Sequence, residues 1–210
     1  MNFKWRNPFI KAQIDKLFKA SDIFCDVAMP DYVQQGCGVE TGGIPFVAFI
    51  DGSVEIDESD LSTTLEDETF WTGNINTSPS TRFVILKTRG SKAAGTPSEE
   101  DGFGFNVVER TGDDKELVFE ALGVRDNRNF WATANKKNDW QIVYGTTTTD
   151  ENGNYLAFYA KNVSIYADEM IEQNLKTRIR YSVSAKWSTD LTPSLPFNFP
   201  KGVITALQAA

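Results

Sequence analysis

The sequence predicts a mainly β protein, a β-sandwich or barrel-like domain with one or two short helices and long loops. Three observations predict it. Fifteen Phe, six Tyr and five Trp stand among 210 residues, the aromatic enrichment typical of strands. Lys176–Trp187 alternates strictly. Thr177, Ile179, Tyr181, Val183, Ala185 and Trp187 fall on one side, and Lys176, Arg178, Arg180, Ser182, Ser184 and Lys186 on the other. That is a strand with one buried and one wet face. Asn152-Gly153 lies between the runs Asp139–Gly145 and Asn154–Asp168, a strong hairpin signal. Three segments follow: a helical segment over 1–22, a β domain over 23–190 and a proline-rich extended tail over 191–210.

The first element is expected to be helical. Asn7 caps it, Pro8 suits the first helical position, and Phe9, Ile10, Ile14, Leu17 and Phe18 share one face. It packs on its own domain or on a neighbour. Next comes GCGVETGGIPFVAFID, Gly36–Asp51. A dinucleotide fingerprint runs strand, glycines, helix, with the phosphate on the helix N-terminus. Here the glycines come first and a short apolar strand, Ile44–Ile50, follows. Eight carboxylates then stand between Asp51 and Glu68 with no Lys or Arg, so a phosphate is repelled. Gly42-Gly43 is therefore a turn into a strand, with a positive φ expected at Gly43.

Arg82–Thr88 reads as a strand and Arg89–Gly104, small, polar and Gly/Pro-bearing, as a long mobile loop. Lys115–Leu122 reads as another strand. Asp126–Lys137 reads as a short helix capped by Asp126 that buries Phe130, Trp131 and Ala134. The hairpin turn DENGN contains a fragment of a calcium loop, but the bidentate Glu that such a loop needs falls on Tyr159 or an apolar neighbour. It is read as a plain turn. The alternating strand spans about 40 Å at roughly 3.3 Å per residue. Pro193, Pro196 and Pro200 make the tail extended and partner-seeking.

Composition removes several function classes. The chain has no histidine, which excludes Ser-His-Asp and Cys-His catalysis and His-ligated metals. Cys25 and Cys37 are too few for a zinc site without histidine. They are open to pairing, although free thiols are the expected state in a cytoplasmically made protein. A net charge of −8 opposes stable wrapping around DNA but not a surface that DNA slides past. The N-terminus lacks a signal-peptide core, and no stretch reaches the ~18 apolar residues of a membrane span. A paired-carboxylate glycosidase is the one enzymatic class left open, and no buried pocket signal supports it. The chain is read as a non-enzyme without catalytic residues, cofactor or metal. Trp71, Trp131 and Trp140 border apolar runs and are read as core rather than as sugar-stacking platforms.

The order of features resembles virion proteins of phages of gut Bacteroidetes, including crAss-like phages, that look like tail-tube or tail-ring subunits. The likeness rests on Cys37, Gly38, Gly42, Gly43 and Ile44 followed by Asp51, and on a polar excursion before RFVILKT. A helix, the aromatic hairpin around Asp150–Tyr155 and the alternating strand Lys176–Trp187 complete it. It covers Gly36 to Trp187, and the N-terminal helix and the proline-rich tail depart from it. The resemblance implies a closed ring of identical subunits and contacts with other tail or portal proteins. It implies a negative lumen that repels the DNA backbone and residence in the virion tail. Inter-subunit candidates follow from charge: Asp57, Glu58 and Asp60 opposite Arg178, Arg180 and Lys186. The runner-up is an adhesin-like or carbohydrate-binding β-sandwich, with a head decoration or fibre protein as a third case.

Overall fold

The computed structural model describes residues 43–57, 61–75, 83–101, 108–171, 178–190 and 194–209. The expected N-terminal helix, Cys25, Cys37, Gly42, Glu58 and Asp60 lie outside the described residues. Eight strands are described: β1 (Ile44–Ile50), β2 (Phe83–Lys92), β3 (Thr96–Asp101), β4 (Val108–Ala121), β5 (Trp140–Thr149), β6 (Tyr155–Met170), β7 (Arg180–Thr189) and β8 (Pro196–Phe199). The described helices are α1 (Leu61–Leu65), α2 (Glu68–Thr72), α3 (Arg128–Ala134) and α4 (Lys201–Ala209).

Six strands close into an antiparallel barrel in the order β2-β1-β5-β6-β7-β4, and β4 returns to β2 through Thr88–Lys92 against Leu117–Ala121. The barrel-like, mainly β reading is thereby borne out. Closure removes the open edges that a sandwich leaves. β3 adds to β4, and β8 adds to β6.

β1 shows why its sequence is a continuous apolar run rather than an alternating one: both of its faces are buried. Val47 and Phe49 point into the barrel with Leu117, Phe119, Ile142 and Val183. Phe46, Ala48 and Ile50 point outward into a second core with Trp71, Phe83, Phe199 and Val203. That second core is covered by α1, α2, β8 and α4. Asp67 caps α2 by accepting the Thr69 N–H at 2.9 Å, and the Trp71 indole N–H donates to the Leu65 carbonyl at 2.9 Å. The acidic excursion is thus folded down on the barrel wall where it is described.

The tail differs from expectation. Pro196–Phe199 pairs with β6, Phe197 and Phe199 are buried, and Lys201–Ala209 is helical with Val203 and Ile204 buried. Pro193 lies outside the described residues, and Pro196 and Pro200 bracket a short strand docked on β6 rather than a free, partner-seeking chain. Pro196 opens it and Pro200 stands just before α4, positions where a missing N–H costs little. Arg89–Gly104 also differs as far as Asp101, beyond which it lies outside the described residues. β2 runs on to Lys92 and, after Ala93–Gly95, continues as β3 along the same partner strand. Backbone pairing to β4 overrides the loop-like composition. Gly43 carries no positive φ, and a Cβ there would meet Thr147 Cγ2 at 3.3 Å. It is crowded rather than left-handed. The left-handed glycines among the described residues are Gly123, φ 86°, and Gly153, φ 83°, the latter in a turn where the Asp150 carboxylate accepts the N–H groups of Asn152 and Asn154, each at 2.8 Å. α3 begins after Asn127 rather than Asp126. Trp131 and Ala134 are buried as expected, and Phe130 is half-buried.

β6 has a bulge between Ala160 and Val163, with Asn162 at φ 54°. There the strand turns a barrel corner and exchanges β8 for β7 as its neighbour. Beyond Val163 it has lost β5, and Asn135 takes over. The Asn135 amide donates to the Ala167 carbonyl at 2.9 Å and accepts the Ala167 N–H at 2.8 Å. One side chain thus imitates a strand neighbour. Asn135→Ala removes both bonds and leaves two backbone groups of β6 unpaired by protein. A loss of about 2 kcal/mol is expected in urea unfolding. A loss below about 0.5 kcal/mol would show that solvent replaces the amide at no cost.

Asp51, just past β1, accepts Lys137 Nζ at 2.8 Å and the Ser53 N–H at 2.9 Å. Lys137 foremost, with the Ser53 amide, holds the Asp51 carboxyl down at about 2. Desolvation pulls Lys137 down, but the hydrogen bond and charge of Asp51 outweigh it and raise its pKa. A carboxyl depressed on folding stabilises fully above its unfolded pKa near ~4 and loses that contribution as pH falls through about 2. The raised lysine does the reverse, its contribution being lost only as pH rises through its folded pKa. Both side chains are partly exposed, so the pair is screened. Lys137→Met is expected to cost about 1 kcal/mol near pH 6 and almost nothing near pH 2. Equal costs in urea melts at both pH values would assign the effect to packing on Trp140 instead, since Lys137 Nζ also stands 5.0 Å from that ring.

Candidate interaction surface

The outer face of β4, β7 and β6 is wet. Strict alternation builds it: Tyr181, Val183, Ala185 and Trp187 of β7 are buried, while Ser182 and Ser184 are half-buried and Lys186 exposed. The strand is shorter than the sequence implied. It starts at Arg180, and Ile179 is exposed rather than buried.

Register sets the charge pattern of this face. Glu116 stands opposite Lys186, which stands opposite Ser164 on β6. One row further, Val118, Ser184 and Tyr166 lie side by side, and then Glu120, Ser182 and Asp168. Lys186 Nζ is 3.5 Å from Glu116 Oε1, and Arg180 Nη1 is 3.3 Å from Glu120 Oε2. Ser184 Oγ donates to Glu116 Oε1 at 2.6 Å, and that bond foremost lowers the Glu116 pKa. The sequence reading matched Arg180 and Lys186 with the acidic excursion. In the structure they have carboxylate partners one strand away, on β4. Arg178 and Asp57 are exposed, and Glu58 and Asp60 lie outside the described residues. Arg180→Glu sets two carboxylates on neighbouring strands, so it is expected to lower stability by about 1 kcal/mol, and Glu120→Arg in the same chain restores it. Thermal melts of the unaltered chain and the two variants check this, and a double variant no better than the single one would refute the pairing.

The sequence reading missed the apolar members of this face. Tyr166 is 64% exposed and Val118 43% exposed, and Ile171 and Ile179 are also exposed beyond the β6 and β7 ends. The signal was present: the alternation that buries Leu117 and Phe119 puts Val118 outside.

The second surface is an arm. β3 pairs with β4 from Thr96↔Asp114 to Asp101↔Val108, whereas β7 covers β4 only from Asp113 onward. Beyond Asp113 the two strands form a ribbon on their own, about 15–20 Å long. Its register shifts between Ser98 and Glu99, a bulge that twists the ribbon.

All four described tryptophans, Trp71, Trp131, Trp140 and Trp187, are buried. Among the described residues no group of three His, Cys, Asp or Glu is placed to hold a metal ion, and no helix is long and apolar enough to cross a membrane. No protein-family model matches the chain, and no curated protein matches it in sequence.

Proposed function

We propose that the chain is a structural subunit of a phage virion, a tail ring or tube component that assembles into a closed homo-oligomer around a DNA conduit. The arm is the observation that carries the reading. A two-stranded ribbon is marginal in water by itself. It gains its missing partner when a neighbouring subunit receives it. The exposed Tyr166 and Val118 amid paired charges suit a second contact, with apolar area for affinity and charges for register. The net charge of −8 suits a channel past which DNA moves without sticking. Other tail or portal proteins are the partners at either end of such a ring.

The carbohydrate-binding alternative rested on tryptophans that lie in the two cores, so no observation favours it. Negative-stain imaging and light scattering of the purified chain test the proposal. Rings of one stoichiometry are expected. A monodisperse monomer at all concentrations, with or without other tail proteins, would sink it.

A further inference from the structure

The barrel has two ends, and they differ. α3 closes one of them, with Trp131 set against Phe49 and Tyr181 at ring distances of 5.9 and 5.5 Å. At the other end, near Ile44 and Lys92, a cavity of about 560 Å³ opens. That volume is in the range of small-molecule sites.

Its lining is unusual for a barrel interior. Asp113 and Lys115 continue the inward-facing row of Leu117, Phe119 and Ala121, at the positions where the row should be apolar. Lys115 is only 7% exposed. Its ion-pair partner, Asp113 Oδ2, is 3.7 Å away, beyond hydrogen-bond length. Asp113 Oδ1 is buried and has no hydrogen-bond partner. Lys92 lines the same cavity, and its pKa is lowered, first by desolvation and then by the charge of Lys115. Ile44, Phe158 and Tyr144 supply the apolar wall, with the Tyr144 and Phe158 rings stacked at 5.6 Å. Burial pushes the Tyr144 phenol up to about 12, so it stays a proton donor at any ordinary pH.

From this geometry we infer that the barrel mouth is a binding site for a monoanionic carboxylate carrying an apolar or aromatic body. Two ammonium groups against one carboxylate leave one positive charge in the cavity, which one anionic group neutralises. A buried charge that lacks a close partner is costly, and a carboxylate reached by both lysines removes that cost. A phosphate dianion fits worse, because Asp113 faces the same space. The apolar body lies along Tyr144 and Phe158, and a hydroxyl or amine on the ligand can donate to the orphaned Asp113 Oδ1. This site does not depend on the virion proposal. The same chemistry is presented by a free carboxylic acid or by an Asp or Glu side chain of a second copy.

Calorimetric titration with phenylacetate tests it, with phenylacetamide and inorganic phosphate as controls. Saturable one-to-one binding of phenylacetate is expected, with neither control competing. Lys115→Met keeps the buried stem and should weaken binding about tenfold or more. Lys92→Met, at a half-exposed position, should weaken it too while circular dichroism stays unchanged. No saturation with phenylacetate, equal binding of the amide, or undiminished binding in a folded Lys92→Met variant would overturn the assignment. Light scattering in saturating phenylacetate then separates the sources. Assemblies that dissociate identify a neighbour's carboxylate as the natural occupant, and assemblies that persist identify a free acid.

Discussion

Replacing Ser98–Gly112 with Asn-Gly, between the directly opposed Pro97 and Asp113, is expected to leave a folded monomer that forms no rings. The cut falls where β4 leaves β7, so every barrel pairing survives. Asn-Gly is the two-residue turn that suits the twist of antiparallel strands. No described residue of the removed ribbon belongs to either core, and stability should change by less than about 1 kcal/mol. Assembly is the property at risk. A contact repeated around a ring multiplies the loss at each interface, so complete loss of rings is expected rather than a graded one. Light scattering and negative-stain imaging of the variant decide it. Normal rings without the arm would remove the observation on which the proposed function rests. An unfolded variant would show instead that the ribbon supports the barrel, and circular dichroism separates the two.

Phe49→Ala is expected to cost about 3–5 kcal/mol, the range for a large aromatic removed from a core. Phe49 is 0% exposed. Its ring lies 5.6–6.2 Å from those of Phe119, Phe130, Trp131 and Trp140. Those rings belong to β4, α3 and the start of β5, so a single side chain ties the barrel wall to the helix that closes its end. Against a total stability of about 5–15 kcal/mol such a loss is a large fraction. Phe49→Leu should cost less than half as much, since it keeps most of the volume. Urea unfolding gives both numbers, and hydrogen exchange should show α3 opening first in the alanine variant. A cost below about 1 kcal/mol would mean that the surrounding rings collapse into the space.

Different parts of this fold were legible to different degrees. β7 was legible because its wet and dry faces alternate without a break, and the β5–β6 hairpin because Asn152-Gly153 demands a turn. The burial of Trp71, Trp131 and Trp140 followed from the apolar runs beside them. These features are local: side-chain chemistry within a few residues is enough to specify them. The arm was not legible, because Arg89–Gly104 has the glycines, proline and small residues of a loop, and its described part beyond Gly90 gains strand structure from pairing with β4. The tail was misread for the same reason, since Phe197 and Phe199 become core residues only when β6 and α2 stand beside them. The charge partners of Arg180 and Lys186 needed register, which places Glu120 and Glu116 one strand away although 60 and 70 residues respectively separate them in the chain. Likewise Asp113 and Lys115 look like ordinary surface charges until barrel closure turns their row inward. Alternation says that a residue belongs to one of two faces. Which face becomes an interior, and what meets it there, depends on long-range pairing that no short window contains.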